Sequence, residues 1–217
     1  GNHVMLKPSE FTPRTSALIR ALCAEVFPAD RVAVIEGDAQ VGAAFTALPF
    51  DHLLFTGSTA VGRKVAAVAA PNLVPVTLEL GGKSPALIAP DFDIAHAAER
   101  IATGKLFNAG QTCVAPDYVL VPEARKDEFV SAYLAAVAKR HPQLAGNADV
   151  TCVINPKQAG RLREWLDDAK QRGVAVRQHA PDDGHSAPGE IIPPTVLIDP
   201  PDDARVMQEE IFGPLLP

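Results

Sequence analysis

Residues 53–82 read LLFTGSTAVGRKVAAVAAPNLVPVTLELGG, and this stretch sets the expected fold. Residues 53–55 are a short apolar run typical of a buried strand, and residues 57–70 have the apolar spacing of a helix. Val76–Leu80 has the pattern of a second strand. A strand, a helix and another strand in succession predict a parallel β-α-β unit.

The same alternation extends toward the start of the chain. Residues 3–6 and 31–35 are apolar runs typical of strands, and a short Ala-rich helix follows the second run. Between the two runs, Thr12 and Pro13 form a helix start with proline at the first helical position. The apolar positions of that helix predict one packed face, made of Leu18, Ile19, Leu22, Cys23 and Val26. The order of elements predicts a parallel sheet covered on both faces.

After Gly81 and Gly82 the α/β alternation continues with longer helices. We expect helices at 91–106, at 124–140 and from Asn155 onward, a strand at 118–121 and a last strand at 195–198. The inward residues of the second and third helices are expected to be Phe129, Val130, Tyr133, Leu134, Val137, Leu162, Trp165 and Leu166. Residues 181–194 are rich in Pro, Gly, Asp and His and predict a surface loop.

Composition and charge exclude several classes of function. Hydrophobic residues make up 47% and charged residues 21% of the chain, as in globular proteins with a packed core. A net charge of -6 without a basic run argues against nucleic acid as a partner, and no apolar stretch reaches the roughly 18 residues of a membrane span. The three cysteines form no CxxC pair, so we expect no metal site and a reducing, cytoplasmic location.

The first candidate site is the Gly57-Ser58-Thr59 segment, where a strand leads into a helix. The free N–H groups and the positive dipole end of such a helix can hold a pyrophosphate. Alternatively, the two hydroxyl residues only cap the helix. Residues 57–62 also resemble the phosphate-binding loop of an NTPase. However, Arg63 stands where that loop requires lysine, so an NTPase is the lesser alternative.

The second candidate is Glu79, close to the end of a predicted strand. Side chains alternate along a strand, so Glu79 shares a face with Thr77. Open α/β sheets place their sites at the carboxyl ends of strands, and Gly81 and Gly82 leave room for a ligand there. Partial desolvation at such a position favours a general base. A structural carboxylate bound to turn amides is the alternative.

The third candidate is Cys113, in the polar loop of residues 108–113. Cys23 and Cys152 lie in apolar segments and are expected to be buried packing residues, so only Cys113 has a context suited to a nucleophile. An ordinary thiol is only about 3% thiolate at pH 7, so a nearby base or amide dipoles would have to assist it. An inert loop cysteine is the alternative.

The fourth candidate is the segment at residues 208–214, in which an acid precedes an aromatic residue. Glu210 could bind a ribose by hydrogen bonds, and Phe212 could pack against a ring. The segment is equally well explained as a short helix that ends at Gly213 and Pro214.

Taken in this order, the segments resemble the aldehyde dehydrogenase family. The matching stretches are KPSE at 7–10, FTGSTAVG at 55–62, LELGGK at 78–83, GQTC at 110–113 and EIFGP at 210–214. Two longer forms, VTLELGGKSP and QTCVAPDY, are similar to the class 3 branch of the family. Within that branch the chain is most similar to bacterial coniferyl aldehyde dehydrogenases.

The resemblance implies a fold, an activity and a cofactor. The α/β fold would comprise part of a Rossmann-type cofactor domain, residues 1–80, and part of an α/β catalytic domain, residues 81–217. The chain would be the central part of a longer enzyme, a homodimer or higher homo-oligomer. That enzyme would oxidise an aromatic, coniferyl-aldehyde-like substrate to the acid with NAD, which Glu10 should favour, or with NADP. The family's oxyanion-hole asparagine belongs to a Trp-Asn-Phe-Pro segment that this sequence does not contain.

The resemblance also implies residue roles. Cys113 would attack the aldehyde to give a thiohemiacetal and then a thioester, its backbone N–H would help hold the oxyanion, and Glu79 would activate water to release the acid. The cofactor would be bound by Lys7, Glu10, Gly57, Ser58, Thr59, Gly62, Glu210 and Phe212. The 217 residues by themselves would be weakly active or inactive. A non-catalytic folded fragment remains a further alternative.

Overall fold

The computed structural model describes residues 1–179 and 190–217. The chain divides into two compact units, Gly1–Gly81 and Gly82–Pro217. Helices and strands alternate in both units, which confirms the predicted α/β class. The assignment of a cofactor-binding domain to residues 1–80 and a catalytic domain to residues 81–217 stays a prediction.

The first unit alternates short strands with helices. Its elements are β1 (Val4–Leu6), α1 (Pro13–Val26), β2 (Val32–Val34), α2 (Ala39–Thr46), β3 (Leu53–Gly57), α3 (Thr59–Ala69) and β4 (Val76–Leu80). β1 runs parallel to β2, and β3 runs parallel to β4 with Leu53 opposite Val76. The strands and helices predicted for this part of the chain are therefore confirmed.

The residues before each helix of the first unit explain where it begins. The Asp38 carboxylate accepts hydrogen bonds from two backbone N–H groups in the first turn of α2, and the Ser58 hydroxyl accepts one from the first turn of α3. These side chains satisfy amides that have no partner within their own helix. Thr12 precedes α1 as predicted, but its side chain makes no capping bond within the described residues. The start of α1 is instead set by Pro13.

The predicted burial of the first unit is only partly correct. Its strands form two separate pairs within the described residues, not one continuous sheet. Leu54 is 67% exposed, and Leu18, Leu22 and Val26 of α1 are more than half exposed, while Cys23 is half-buried. Spacing along a helix or strand decides which side chains share a face, but only an element packed across that face buries it.

The second unit begins with a strand and contains four helices among its described residues. Its elements are β5 (Pro85–Leu87), α4 (Ile94–Leu106), β6 (Tyr118–Leu120), α5 (Lys126–Arg140), α6 (Pro156–Gln171), β7 (Ala175–Gln178), β8 (Thr195–Ile198), α7 (Arg205–Gln208) and β9 (Leu215–Leu216). β5 pairs with β6 in parallel, and β8 pairs with β7 antiparallel and with β9 in parallel. The prediction that β8 is the last strand is wrong, because β9 extends the same sheet.

Two apolar clusters hold the second unit together. The first packs α4 against α5 and includes Tyr133, which is fully buried, and the second surrounds Leu162 and Trp165 of α6. The predicted inward faces of α5 and α6 are confirmed, except that Leu134 is only half-buried. Asp93 caps α4, and Asn155 caps α6, through side-chain oxygens.

Two expectations for the second half of the chain need correction. Cys152 is exposed and not buried, because side chains alternate along this extended segment and its neighbour Val153 takes the buried side. Residues 181–189 of the predicted surface loop lie outside the described residues. At its described end, Ile191 and Ile192 are buried, so that end is not a surface excursion.

Gly110 is the position where the fold tolerates a side chain least. Its φ is +73°, and an added Cβ would lie 2.5 Å from the Gly213 carbonyl oxygen and 2.9 Å from the Lys105 carbonyl oxygen. Backbone atoms cannot rotate away. Gly110→Ala should therefore lower the free energy of unfolding by about 2–4 kcal/mol, which combines left-handed strain with overpacking. Urea unfolding followed by circular dichroism measures this loss.

Gly173→Ala is the matched control for this prediction. Gly173 also has a positive φ, +79°, but no other described atom lies within 4 Å of its added Cβ. Only the conformational cost of about 1–2 kcal/mol is expected there. Equal losses for the two variants would show that the close approach at Gly110 does not contribute to stability.

Candidate functional site

The start of α3 presents the residues predicted to bind a pyrophosphate. Ser58 and Thr59 are exposed, and the Ser58 hydroxyl accepts a hydrogen bond from the Val61 N–H at 3.4 Å. The hydroxyl therefore caps the helix, while the exposed first turn keeps the positive end of the helix dipole accessible to an anion. An added Cβ at Gly57 would lie 2.5 Å from the Phe55 ring, so a larger residue there would have to displace that ring.

Gly62 lies on the opposite side of α3 from solvent. It is buried, and an added Cβ would lie 2.7 Å from the Leu80 side chain at the end of β4. The missing side chain lets the helix approach the strand closely, a role that glycine has in dinucleotide-binding folds. The structure thus gives Gly62 a packing role, and its contact with a cofactor stays a prediction.

Lys7 and Glu10 form an ion pair beside a cavity of about 200 Å³ in the first unit. The Lys7 Nζ lies 2.9 Å from a Glu10 carboxylate oxygen, and this hydrogen bond lowers the pKa of Glu10. The cavity is lined by Pro8, Ser9, Glu10, Pro13, Ser16, Glu36 and Gly37. An ionised carboxylate at the edge of such a cavity suits the hydroxyl groups of a ribose.

Glu36 and Gly37 were not identified as site residues from the sequence. Both line the same cavity as Glu10, and Glu36 pairs with Arg20 at 3.2 Å. The signal that could have identified them is their position directly after β2. Ligand sites of α/β proteins form at the carboxyl ends of parallel strands.

Glu79 lies next to the end of β4, opposite Thr56 of β3. It shares a face of the strand with Thr77, as the alternation of side chains predicts. Its side chain is exposed. The desolvation expected from the sequence is therefore wrong, because a two-stranded pair leaves this carboxylate open to solvent.

A strained turn precedes Cys113 in the second unit. Asn108 and Ala109 are left-handed, with φ of +51° and +55°, and Gly110 follows at +73°. Each left-handed residue other than glycine costs on the order of 1–3 kcal/mol, so the surrounding contacts must hold it in place. Cys113 itself is exposed, as a nucleophile must be.

The Gln111 side chain binds the Cys113 loop to the segment at residues 152–154. Its side-chain Nε2 donates to the backbone carbonyl of Cys152 at 3.1 Å, and its Oε1 accepts from the Ile154 N–H at 2.9 Å. These are the two bonds that the backbone of a neighbouring β-strand would make to this segment. They satisfy both the NH2 group and the oxygen of the buried Gln111 amide. No role was given to Gln111 from the sequence. A long amide side chain in a loop of small residues, two positions before a cysteine, was the available signal.

Glu210 and Phe212 lie in a second strained loop. Phe212 is left-handed, with φ of +49°, and it is 41% exposed. Burial raises the pKa of the Glu210 carboxyl group, although the Gly82 backbone favours the charged form. The Glu210 Oε1 atom is buried without a hydrogen-bond partner among the described residues. Such an oxygen is costly unless a ligand hydroxyl donates to it.

A buried lysine that the sequence analysis missed lies in the same unit. Lys105 of α4 is fully buried, and its Nζ has no hydrogen-bond partner among the described residues. Burial lowers its pKa to about 8, against the opposing influence of the Asp117 and Glu210 carboxylates. The position of Lys105 three residues after Ala102, on the apolar side of α4, was the signal that could have identified it.

The described ranges, 1–179 and 190–217, contain neither a candidate metal site nor a candidate membrane-spanning helix. No cluster of three or more His, Cys, Asp or Glu side chains there could hold a metal ion. None of the helices in those ranges is long and apolar enough to cross a membrane.

Known proteins resemble this chain in sequence and in fold. The sequence model of the aldehyde dehydrogenase family matches residues 1–217. The chain belongs to the aldehyde dehydrogenase family. A Pseudomonas aeruginosa protein named probable coniferyl aldehyde dehydrogenase is 54% identical over 217 residues, which are 100% of this chain and 45% of the relative. The resemblance identified from five sequence motifs is confirmed.

Solved structures of aldehyde dehydrogenases have the same fold. AldH of Staphylococcus aureus, in a substrate-bound state, matches with a TM-score of 0.87 and 41% identity over 100% of this chain and 46% of its own. A Mycobacterium tuberculosis aldehyde dehydrogenase complexed with NAD+ matches with a TM-score of 0.83 and 36% identity, over 99% of this chain and 45% of its own. The chain spans about half the length of the relatives that it matches.

The buried charge of Lys105 predicts a specific pH dependence of stability. Its pKa is about 8 in the folded protein and 10.5 in an exposed lysine, so between these pH values the unfolded chain binds more protons. Stability attributable to this group therefore rises with pH across that window. Relative to Lys105→Met, the wild type should gain at most about 3 kcal/mol of unfolding free energy between about pH 8 and pH 10.5.

Urea unfolding at several pH values measures this gain. Lys139→Met, which removes an exposed lysine from α5, serves as the control and should leave the pH dependence unchanged. Parallel pH profiles for the wild type and Lys105→Met would contradict the prediction.

Proposed function

We propose that these residues belong to an NAD(P)-dependent dehydrogenase that oxidises an aldehyde to the carboxylic acid. The observation that carries the proposal is the exposed Cys113, held on a strained loop by a buried glutamine, in a chain that the family matches from residue 1 to residue 217. Strain of this kind persists only where other contacts fix the backbone, and it concentrates at functional sites.

The proposed reaction begins at the Cys113 sulfur. As a thiolate, Sγ attacks the carbonyl carbon of the aldehyde, and the new C–S bond gives a thiohemiacetal. The Cys113 backbone N–H helps to stabilise the oxyanion. When bound, NAD or NADP would supply the acceptor for the hydride of the substrate carbon, and a thioester would then remain on Cys113. Glu79 takes a proton from water as the water attacks the thioester, the C–S bond breaks, and the acid leaves.

Several side chains have the chemistry to bind the cofactor. Lys7 and Glu10 would contact the adenosine ribose, in keeping with the ionised Glu10 at the edge of the cavity. Gly57, Ser58 and Thr59 would bind the pyrophosphate at the start of α3. Glu210 would accept hydrogen bonds from the second ribose, and Phe212 would pack beside the nicotinamide ring. The Glu210 oxygen, which has no partner in the described part of the chain, and the half-exposed Phe212 fit these roles.

The substrate class is proposed from the named relatives. The Pseudomonas aeruginosa relative, at 54% identity, carries the name of a coniferyl aldehyde dehydrogenase, so we infer an aromatic aldehyde of that kind. We also infer a homodimeric or larger assembly in the cytoplasm. The 217 residues by themselves should turn over more slowly than a full-length relative, since the family's Trp-Asn-Phe-Pro segment is not among them.

The first experiment tests the nucleophile. The assay uses the shortest protein that contains these residues and is active. NADH formation with an aromatic aldehyde is followed by absorbance. Cys113→Ala should reduce turnover about a thousandfold or more, because the thioester can no longer form. Cys152→Ala, which removes the other exposed thiol, should leave turnover within about twofold. Comparable losses in both variants, or turnover retained by Cys113→Ala, would falsify the proposed role.

The second experiment tests the choice between NAD and NADP. The negative charge of Glu10 should repel the additional phosphate of NADP, so the wild type should have the higher kcat/KM with NAD. Glu10→Gln removes the charge and should narrow the NAD preference by about tenfold. Glu25→Gln, at an exposed position of α1, is the control. Equal catalytic efficiency of the wild type with both cofactors would refute the preference.

A further inference from the structure

Asp117 is a buried carboxylate whose two oxygens are both bound. It is 3% exposed. Its Oδ1 accepts a hydrogen bond from the Ile211 N–H at 2.9 Å, and its Oδ2 pairs with the Lys83 ammonium. A buried ion pair is tolerated only where the geometry is good and the remaining polar atoms are satisfied, and Asp117 meets both conditions. The hydrogen bond from Ile211 restrains the direction of the backbone N–H at residue 211.

Lys83 directs all of its hydrogen bonds to the same region. Besides the Asp117 carboxylate, its Nζ donates to the Val206 carbonyl at 2.5 Å and the Glu209 carbonyl at 3.3 Å. An ammonium group has three donors, so each of them has a partner. The ion pair thereby attaches the segment at 206–211 to the starts of β5 and β6.

The Ile211 backbone is bound from both sides by charged side chains. Its N–H donates to Asp117, and its carbonyl accepts from the Arg161 Nη2 at 2.7 Å. Arg161 is itself oriented by two contacts. Its Cζ lies 4.5 Å from the centroid of the Trp165 ring, and its Nε donates a hydrogen bond to the Gln158 Oε1. The Ile211 side chain is fully buried. No rotation of this residue is possible without breaking bonds to two different elements.

Ile211 stands between the two residues that the proposed function assigns to the nicotinamide end of the cofactor. Phe212 is held in a left-handed conformation, which is strained for any residue other than glycine and persists only under external restraint. Glu210 presents a buried oxygen without a described partner. Fixing Ile211 therefore fixes the directions in which both neighbouring side chains leave the backbone.

We propose that Asp117 is a positioning residue that, through the Ile211 backbone, holds Glu210 and Phe212 in the orientation that binds the nicotinamide riboside. The inference rests on the proposed function for the identity of the ligand. Asp117 acts on the cofactor only through Ile211 and does not touch the reacting atoms. Lys83 and Arg161 complete the same restraint from either side.

Kinetics of Asp117→Ala test the proposal in the smallest active protein form. The KM for NAD should rise about tenfold or more, since a buried hydrogen bond to a charged group is lost, while the KM for the aldehyde stays within about twofold. Asp117→Asn keeps an oxygen that can accept from the Ile211 N–H and should recover part of the NAD affinity. A residue of purely structural importance would lower the amount of active enzyme and leave both KM values unchanged, which would overturn the proposal.

Glu128→Gln is the matched control for these variants. It breaks an exposed ion pair with Arg125 in the same unit and should change neither KM. If Asp117→Ala does not fold, the same kinetics are measured in Arg161→Met. That variant removes the hydrogen bond to the Ile211 carbonyl and keeps an apolar side chain over Trp165. An unchanged KM for NAD in Arg161→Met would count equally against the proposal.

Hydrogen exchange gives a readout that does not depend on catalysis. In the 217-residue chain, the Ile211 amide should exchange about tenfold faster in Asp117→Ala than in the wild type, and Glu128→Gln should exchange as the wild type does. Unchanged exchange would overturn the positioning role whatever the activity. Faster exchange, together with no aldehyde oxidation by any longer protein that contains these residues, would instead reject the proposed function and retain the restraint on Ile211.

Discussion

A carboxylate buried inside a protein needs partners for its charge and its oxygen lone pairs, and this requirement organises the second unit. Asp117 meets it with Lys83 on one side and the Ile211 N–H, 94 residues further along the chain, on the other. Three distant segments are thereby held together at one point. Apolar packing could hold the same segments, but it would not specify the direction of a single backbone N–H group.

Three of the four left-handed residues other than glycine that are described in the second unit lie on two loops that touch. One loop contains Asn108 and Ala109, and the other contains Phe212. They meet where the absent side chain of Gly110 leaves room for the Gly213 carbonyl. Because each loop is also anchored by side-chain hydrogen bonds, the unfavourable conformations are maintained by the fold around them. The candidate nucleophile and the candidate cofactor loop therefore share one restrained region.

Local signals in the sequence predicted the elements well, but they predicted burial correctly only in part, on α5 and α6 and not on α1. Pro13 and Ser58 lie at or immediately before helix starts because proline and hydroxyl residues suit those positions regardless of the rest of the fold. The exposure of Leu54 and Cys152 depends on which elements cover them, and spacing along the chain does not contain that information. The predicted desolvation of Glu79 was wrong for the same reason.

The candidate site was predicted in its exposed and half-buried residues, and its fully buried charged residues were missed. Cys113, Glu210 and Phe212 belong to motifs of small and polar residues that stand out in a sequence. Lys105 and Asp117 act at positions where a charge contradicts the local pattern, and only tertiary contacts reveal what surrounds them. A charged residue on the apolar side of a predicted helix is the kind of conflict that indicates a functional region.

Gln111 and Asp117 anchor the backbone on either side of Cys113, and this limits how the sequence between them can vary. Gln111 is bound to one segment and Asp117 to another, and Cys113 lies in the interval between them. Inserting or deleting one residue within that interval would release one anchor, so its length is constrained. Within that interval, Val114 is 81% exposed. Changes of side chain at Val114 can therefore alter the surroundings of the thiol while the backbone that presents it stays in place.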